Sequence, residues 1–269
     1  MQAWSDACSQ ARESIAFVPT MGNLHQGHIS LVEQAILIAD KVVVSIFVNP
    51  TQFAANEDLD LYPRTEDDDL KKLQNLQVDA VFMPSAAEIY PPNESIDYLD
   101  VPAMATKFEG AARPEHFRGV VTVVKKLFDC VMPQHAVFGE KDFQQLLLIQ
   151  QMVEQQSLNI KIHPGAIVRD TDGLAKSSRN QYLSEEDRQI APILYQSLLQ
   201  ANDWLMNSRL ESQQVEQQSI DFLKKNGFKV DYFSICNETD LSRPTSSQQV
   251  ILVAAQLGST RLLDNLRVE

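Results

Sequence analysis

The sequence predicts an α/β fold: a doubly wound parallel sheet followed by a smaller domain of mixed helix and strand. Three observations predict it. Short β-rich runs alternate with longer helical periods through the first half of the chain, the pattern of strands joined by crossover helices. One of these runs, KVVVSIFV (Lys41 to Val48), is almost entirely apolar, as a strand covered on both faces must be. Beyond about Ile167 the texture changes to a Gln- and Ser-rich helical stretch and then to further apolar runs, which places a boundary between domains of 1–167 and 168–269.

The elements follow in order. IAFVP (Ile15 to Pro19) reads as the first strand. HISLVEQAILIAD (His28 to Asp40) carries helical apolar spacing at Ile29, Val32, Ile36 and Ala39. After the second strand, TEDDDLKKLQNLQ (Thr65 to Gln77) reads as a helix whose acidic first turn complements the helix dipole. VDAVFMP (Val78 to Pro84) is a strand. FRGVVTVVKKLFDCV (Phe117 to Val131) is too long for a strand and reads as a helix despite its valines. HAVFG (His135 to Gly139) is a strand and DFQQLLLIQQMVEQQ (Asp142 to Gln156) a helix. The second domain should hold helix from about Ser184 to Lys225. GFKVDYFSI and QQVILVAAQLGSTRLLDNLRV then read as strands of a small mixed sheet.

Composition narrows the function. The 269 residues are 44% hydrophobic and 22% charged, enough for an ordinary core. No apolar run approaches the ~18 residues of a membrane span. The opening segment lacks the basic-then-apolar order of a secretory signal, so a cytoplasmic location is expected. A formal charge of −13 argues against a nucleic-acid partner, which requires a basic face. Cys8, Cys130 and Cys236 form an odd set without a CxxC pair, which suits reduced thiols better than disulfides or zinc. No metal-ligating set stands out.

The chemistry concentrates where predicted strands end. FVPTMGNLHQGH (Phe17 to His28) holds two of the five histidines and two of the nine glycines. It lies at the carboxyl end of the first strand, where doubly wound sheets bind ligands. It also leads into a helix N-terminus, which favours anions. His25 and His28, three residues apart, can face the same way and donate to phosphate; capping the helix is their alternative role. GLAKSSRNQYLS (Gly173 to Ser184) gathers Lys176, Ser177, Ser178 and Arg179, a set of donors suited to a triphosphate. In VFGEKDFQQL, Gly139 ends a strand, and Lys141 should project at the sheet edge of His28 and answer redistributing phosphate charge. Asp142 suits an N-cap. Gln145 lies a turn inward. SIFVNPTQF supplies Asn49, Thr51 and Gln52, neutral groups fit for hydroxyl or carboxylate oxygens. Arg113, His116 and Arg118 form a local basic cluster with a substrate or a folding role left open.

His25-Gln26-Gly27-His28 resembles the H-I-G-H signature of the adenylyl-transferring superfamily, and the segment around Lys176 to Arg179 resembles its K-M-S-K-S loop. More closely, FVPTMGNLHQGH, VSIFVNPTQF, YPRTEDDDL, EGAARPEHFRGVVTVVKKLF, FGEKDFQQL and DGLAKSSRNQYLS, in this order, resemble the pantothenate synthetase (pantoate–β-alanine ligase) family. The resemblance implies a Rossmann-like N-terminal domain that binds ATP and pantoate. It also implies a smaller C-terminal lid domain, a homodimer, ATP as substrate, and Mg²⁺. It implies an ATP site lined by Met21, Gly22, Asn23, Leu24, His25, Gln26, Gly27, His28, Gly139, Glu140, Lys141, Asp142, Val168, Lys176, Ser177, Ser178 and Arg179. Among these, His28 matches the family's proton donor, and His25 and Lys141 join it as catalytic donors. Gln52 and Gln145 would hold pantoate, with Gln52 also near β-alanine. Two departures stand out. Family members commonly begin with a further short strand, and this chain begins within what reads as the following helix. Lys176 replaces a commonly apolar loop residue. The competing readings are another H-I-G-H nucleotidyltransferase, which would need cations for a substrate phosphate where Gln52 and Gln145 are neutral, and a non-catalytic nucleotide-binding regulator, which would be expected to lack one of the donors.

Overall fold

Gln2–Ala11 forms α1, which stops at Arg12 in the left-handed conformation (φ 60°). The first two apolar runs then become β1 (Ile15–Thr20) and β2 (Lys41–Ile46). Phe17, Val18, Val43 and Val44 are wholly buried, each side chain contributing roughly 1.5–3 kcal/mol. The computed structural model describes residues 1–53, 59, 62–208, 210–245 and 248–268.

Between the two strands, α2 (Gln26–Ile38) buries Leu31, Val32 and Ala35. Of the expected stripe, Val32 is fully buried and Ala39 packs against the core, whereas Ile36 is 40% exposed, next to Leu37 at 84%. The sheet decides this choice. Leu31 packs onto Gly165, where any Cβ would collide with its side chain, so only a glycine floor admits it. α3 (Glu66–Asn75) and β3 (Ala80–Phe82) follow; β3 is shorter than its apolar run and only half-buried. The short helices α4 (Ala86–Ile89) and α5 (Glu109–Ala112) precede α6 (His116–Val131). α6 is a helix as its length requires, and its valines 120, 121, 123 and 124 are buried. β4 (His135–Gly139) runs into a 3₁₀ turn, Glu140–Asp142, and α7 (Phe143–Gln155). Asp142 therefore belongs to that turn rather than opening the helix.

β5 (Lys161–Gly165) was not expected as a strand, because Pro164 interrupts its apolar pattern. It pairs in parallel with β4 at the edge of the sheet, where a missing N–H is tolerated. The five strands run parallel in the order β3-β2-β1-β4-β5. The order reverses direction between β1 and β4, which marks the switch point where such sheets bind ligands.

Met1–Glu140 and Gln144–Ala166 form one compact unit; Lys141–Phe143 and Ile167–Glu269 form the other. In the second unit the Gln-rich stretch resolves into α8 (Glu185–Ile190), α9 (Ile193–Asn207) and α10 (Ser212–Lys225), with Arg209 outside the described residues. β6 (Lys229–Asn237), β7 (Gln249–Leu257) and β8 (Thr260–Arg267) form a wholly antiparallel sheet, not a mixed one. Only two residues, Gly258 and Ser259, join β7 to β8, and a connection that short admits only a hairpin. Leu194, Leu198, Val215, Leu223, Ile251 and Val253 fill its core. No helix among the described residues is long and apolar enough to cross a membrane. Cys8 and Cys236 are buried and Cys130 half-buried, and no disulfide joins them.

On β4 and β5, His135 Nδ1 and His163 Nε2 lie 3.0 Å apart and share one proton. Burial, then His135 and Lys161, lower the pKa of His163 from its usual 6.5. The unfolded chain therefore takes up a charging proton at His163 more readily than the folded one. Stability from His163 should be complete above pH ~6.5 and decline as pH falls below it. Melting curves between pH 7.5 and 5.5 should show a steeper acid loss for the wild type than for His163→Gln; equal slopes would refute it.

Candidate active site

At the end of β1, Gly22 (φ 83°) and Asn23 (φ 51°) turn left-handed and bring the chain back into α2. The helix begins at Gln26, two residues earlier than the sequence suggested, because His25 is its N-cap. His25 Nδ1 accepts from the Gly27 N–H at 3.1 Å, and His28 Nδ1 accepts from the His25 N–H at 3.3 Å. This is a capping box made with imidazoles. It fixes the tautomer: in the neutral ring an accepting Nδ1 leaves the proton on Nε2. The ring centroids stand 4.0 Å apart with planes tilted by 30°. Capping and anion binding, opposed as alternatives by the sequence, are compatible here, since the cap uses one nitrogen of each ring and keeps the other a donor.

The turn ahead of these histidines is held by a residue that the sequence reading passed over. Asp69 is fully buried. Its carboxylate accepts from the N–H groups of Asn23 (2.7 Å) and Leu24 (2.8 Å) and from the Thr65 hydroxyl (3.0 Å). Lys72 lies 3.6 Å from it and donates to the Leu24 carbonyl at 2.7 Å. Asp69 is the last of four acidic residues opening α3, and the other three are exposed. A detectable signal was present: Asp69 stands four residues before buried Leu73, on the core-facing stripe.

After β2, Asn49 N-caps a 3₁₀ turn, Pro50–Gln52. Asn49 is buried, and its Oδ1 receives the Thr51 hydroxyl and the Tyr90 hydroxyl at 3.0 and 2.9 Å. Its Nδ2 donates to Gln52 Oε1 (3.2 Å) and to the Gly119 carbonyl (3.3 Å). Gln52 Nε2 lies 2.8 Å from Met21 Sδ, which joins this turn to the loop after β1. Tyr90 is a second residue that the sequence reading missed; burial raises its pKa and keeps it a neutral donor. In α7, Gln145 is half-buried. Its neighbour Gln144 is buried and donates to the carbonyls of Met104 and Lys107, so the two glutamines divide, one into the scaffold and one at its edge. Arg118 reaches Glu115 at 3.4 Å and lies over the Tyr98 ring.

Gly139 ends β4 at the same sheet edge as Thr20 ends β1. In the second unit, the carbonyl of Lys141 accepts from Asn265 Nδ2 at 3.0 Å, and its ammonium stands 4.0 Å from Asp142. The Lys176 N–H bonds the Val168 carbonyl at 2.9 Å. Ser177 caps the turn Ser178–Tyr182. The Lys176 ammonium is paired with Asp170, which also meets Arg188, itself bound to Asp172. Arg169 supports this loop. It forks onto Asp264 at 2.5 and 2.9 Å, donates to the Gly173 carbonyl at 3.2 Å, and stacks on Tyr195 at 3.7 Å. Burial pushes the Asp264 carboxyl up, and the guanidinium opposes that shift. Neither Arg169 nor Asp264 was singled out from the sequence.

A family model described as pantoate-beta-alanine ligase matches residues 1–267. The pantothenate synthetase of Alcanivorax borkumensis is 48% identical over 256 residues, 94% of this chain and 90% of the relative. The pantoate–beta-alanine ligase of Schizosaccharomyces pombe is 50% identical over the same shares. The crystal structure of pantothenate synthetase from Thermus thermophilus superposes with a TM-score of 0.92 at 39% identity, covering 98% of this chain and 97% of that one. The pantoate-beta-alanine ligase from Francisella tularensis, solved with beta-gamma ATP and beta-alanine, gives 0.81 at 35% identity, covering 98% and 94%. Motif order, strand order and whole-length similarity agree, and the chain belongs to the pantoate–β-alanine ligase family.

Proposed function

We propose that the protein joins pantoate to β-alanine at the expense of ATP, giving pantothenate, AMP and pyrophosphate. The pantoate carboxylate attacks the α-phosphorus of ATP and pyrophosphate leaves. The β-alanine amine then attacks the acyl carbon of pantoyl adenylate and AMP leaves. The second step needs no enzyme nucleophile because the mixed anhydride is already activated.

The observation that carries this reading is the double imidazole cap, which fixes an N–H on both His25 and His28 at a helix N-terminus. Charge develops on the departing pyrophosphate, and donors fixed beforehand lower that barrier without reorganising. Residues 1–167 would bind ATP through Met21 to His28 and Gly139 to Asp142, with His28, His25 and Lys141 as the catalytic donors. Gln52 and Gln145 would hold pantoate as neutral amides, without trapping its carboxylate in an ion pair. Residues 168–269 would contribute Val168 and the loop Lys176 to Arg179; Lys176 must then exchange Asp170 for a phosphate oxygen. Mg²⁺ suits a site of this kind as a passenger on the phosphates, its usual mode with nucleotides. Among the described residues no group of three or more His, Cys, Asp or Glu could hold a metal. When bound it would neutralise phosphate charge. A cytoplasmic homodimer completes the reading.

Pyrophosphate release tests it. Release should require ATP and pantoate together, cease on chelation of divalent cations, and fail when other acids or phosphorylated acceptors replace pantoate. Turnover without dependence on pantoate would remove the reading.

A further inference from the structure

We propose that Arg113 and His116 are positioning residues for pantoate, acting through the main-chain carbonyl of Gln52; this rests on the reading that Gln52 binds pantoate. The turn Pro50–Gln52 is too short to orient a side chain through its own hydrogen bonds, the Phe53 N–H to Pro50 carbonyl bond being 3.3 Å long. Its orientation comes from α6 and the residues just before it. At its start, the Asn49 amide bonds the Gly119 carbonyl. In its middle, Gly119 lies so near the Thr51 carbonyl that any Cβ would collide with it. At its end, His116 Nδ1 lies 2.8 Å and Arg113 Nη2 3.2 Å from the Gln52 carbonyl oxygen.

The two side chains also fix each other. Arg113 Nη1 is 3.1 Å from His116 Nε2. A guanidinium only donates and a carbonyl only accepts, so His116 must carry its proton on Nδ1 and offer a lone pair at Nε2. One imidazole thus links a cation to a neutral carbonyl in a single tautomer. Water could satisfy the carbonyl without ordering any side chain. Immobilising an arginine and a histidine instead costs rotamer entropy. What they gain is direction, because holding the carbonyl holds the Cα of Gln52 and the line along which its amide leaves the backbone. A neutral amide contributes little per bond to a small acid, so its affinity depends on being held in place beforehand.

The test is a kinetic comparison of purified variants with pantoate and ATP varied separately and melting temperatures recorded. His116→Ala should raise the pantoate KM about tenfold, the scale of one or two lost hydrogen bonds, and leave the ATP KM within about twofold. His116→Asn sets an amide where Nδ1 stood and should recover most of the pantoate KM. His116→Gln extends past that position and should not. If the alanine variant fails to fold, the Asn and Gln pair still decides the matter. Added to Gln52→Ala, His116→Ala should have no further effect on the pantoate KM. Equal rises in both KM values, equal behaviour of Asn and Gln, or additivity in the double variant would overturn the proposal. An unchanged pantoate KM in Gln52→Ala would instead overturn the assignment of Gln52, and this proposal with it. That outcome is distinct from one in which Gln52→Ala responds and His116→Ala does not.

Discussion

His28→Ala should lower kcat for pantoate-dependent pyrophosphate release by about 10² to 10³, the cost of one preorganised donor. The alanine also removes the acceptor of the His25 N–H, so part of its effect could come from a frayed helix start. His28→Asn separates the two. Asparagine can accept from the His25 N–H where Nδ1 did, but has nothing at the Nε2 position. It should keep the melting temperature of the wild type and lose activity as alanine does. An asparagine variant of full activity would remove His28 from the chemistry and leave it a cap. Lys141→Ala, which disturbs no cap, should fall in the same range.

Asp69→Asn should affect both stability and turnover. The carboxylate offers oxygens to two backbone N–H groups and a hydroxyl. The amide has one oxygen, and its NH₂ must then face a donor. Breaking a buried charged network from one side costs about 3–5 kcal/mol. At roughly 2–4 °C per kcal/mol for a chain near this size, melting should fall by about 6–20 °C. Surviving folded enzyme should show a reduced kcat, because Asn23 and Leu24 set the approach to His25. A variant that melts early yet turns over normally would limit Asp69 to the scaffold.

The contrast between His28 and Asp69 shows what was legible in the sequence. The strands β2 and β4 were readable because burial on both faces leaves an unbroken apolar run. The histidine and glycine motif was readable because two scarce residue types cluster at a strand end. Asp69 was masked by Glu66, Asp67 and Asp68, where the helix dipole already explains an acidic turn; its spacing of four from Leu73 was the one signal that set it apart. β5 was hidden by Pro164, whose missing N–H matters less at a sheet edge. The stripe of α2 was partly misread because Leu31, Val32, Ile36 and Leu37 are all apolar, and the glycine floor at Gly165 makes the choice. Arg113 and His116 stood out as charge, but their common target is a backbone oxygen some sixty residues earlier in the chain, which no local pattern encodes.

The pairing of Lys176 and Arg188 with Asp170 and Asp172 also bears on how a nucleotide arrives. Two positive and two negative groups cancel within a few ångströms, so a distant tetra-anion feels little pull from these four residues. What it meets first is the far field of a chain carrying thirteen excess negative charges, and that field repels it. Moderate salt, which shortens the reach of such repulsion to about 10 Å near 0.1 M, should therefore quicken the encounter with ATP. Lys176 would act only after arrival, by exchanging Asp170 for a phosphate oxygen.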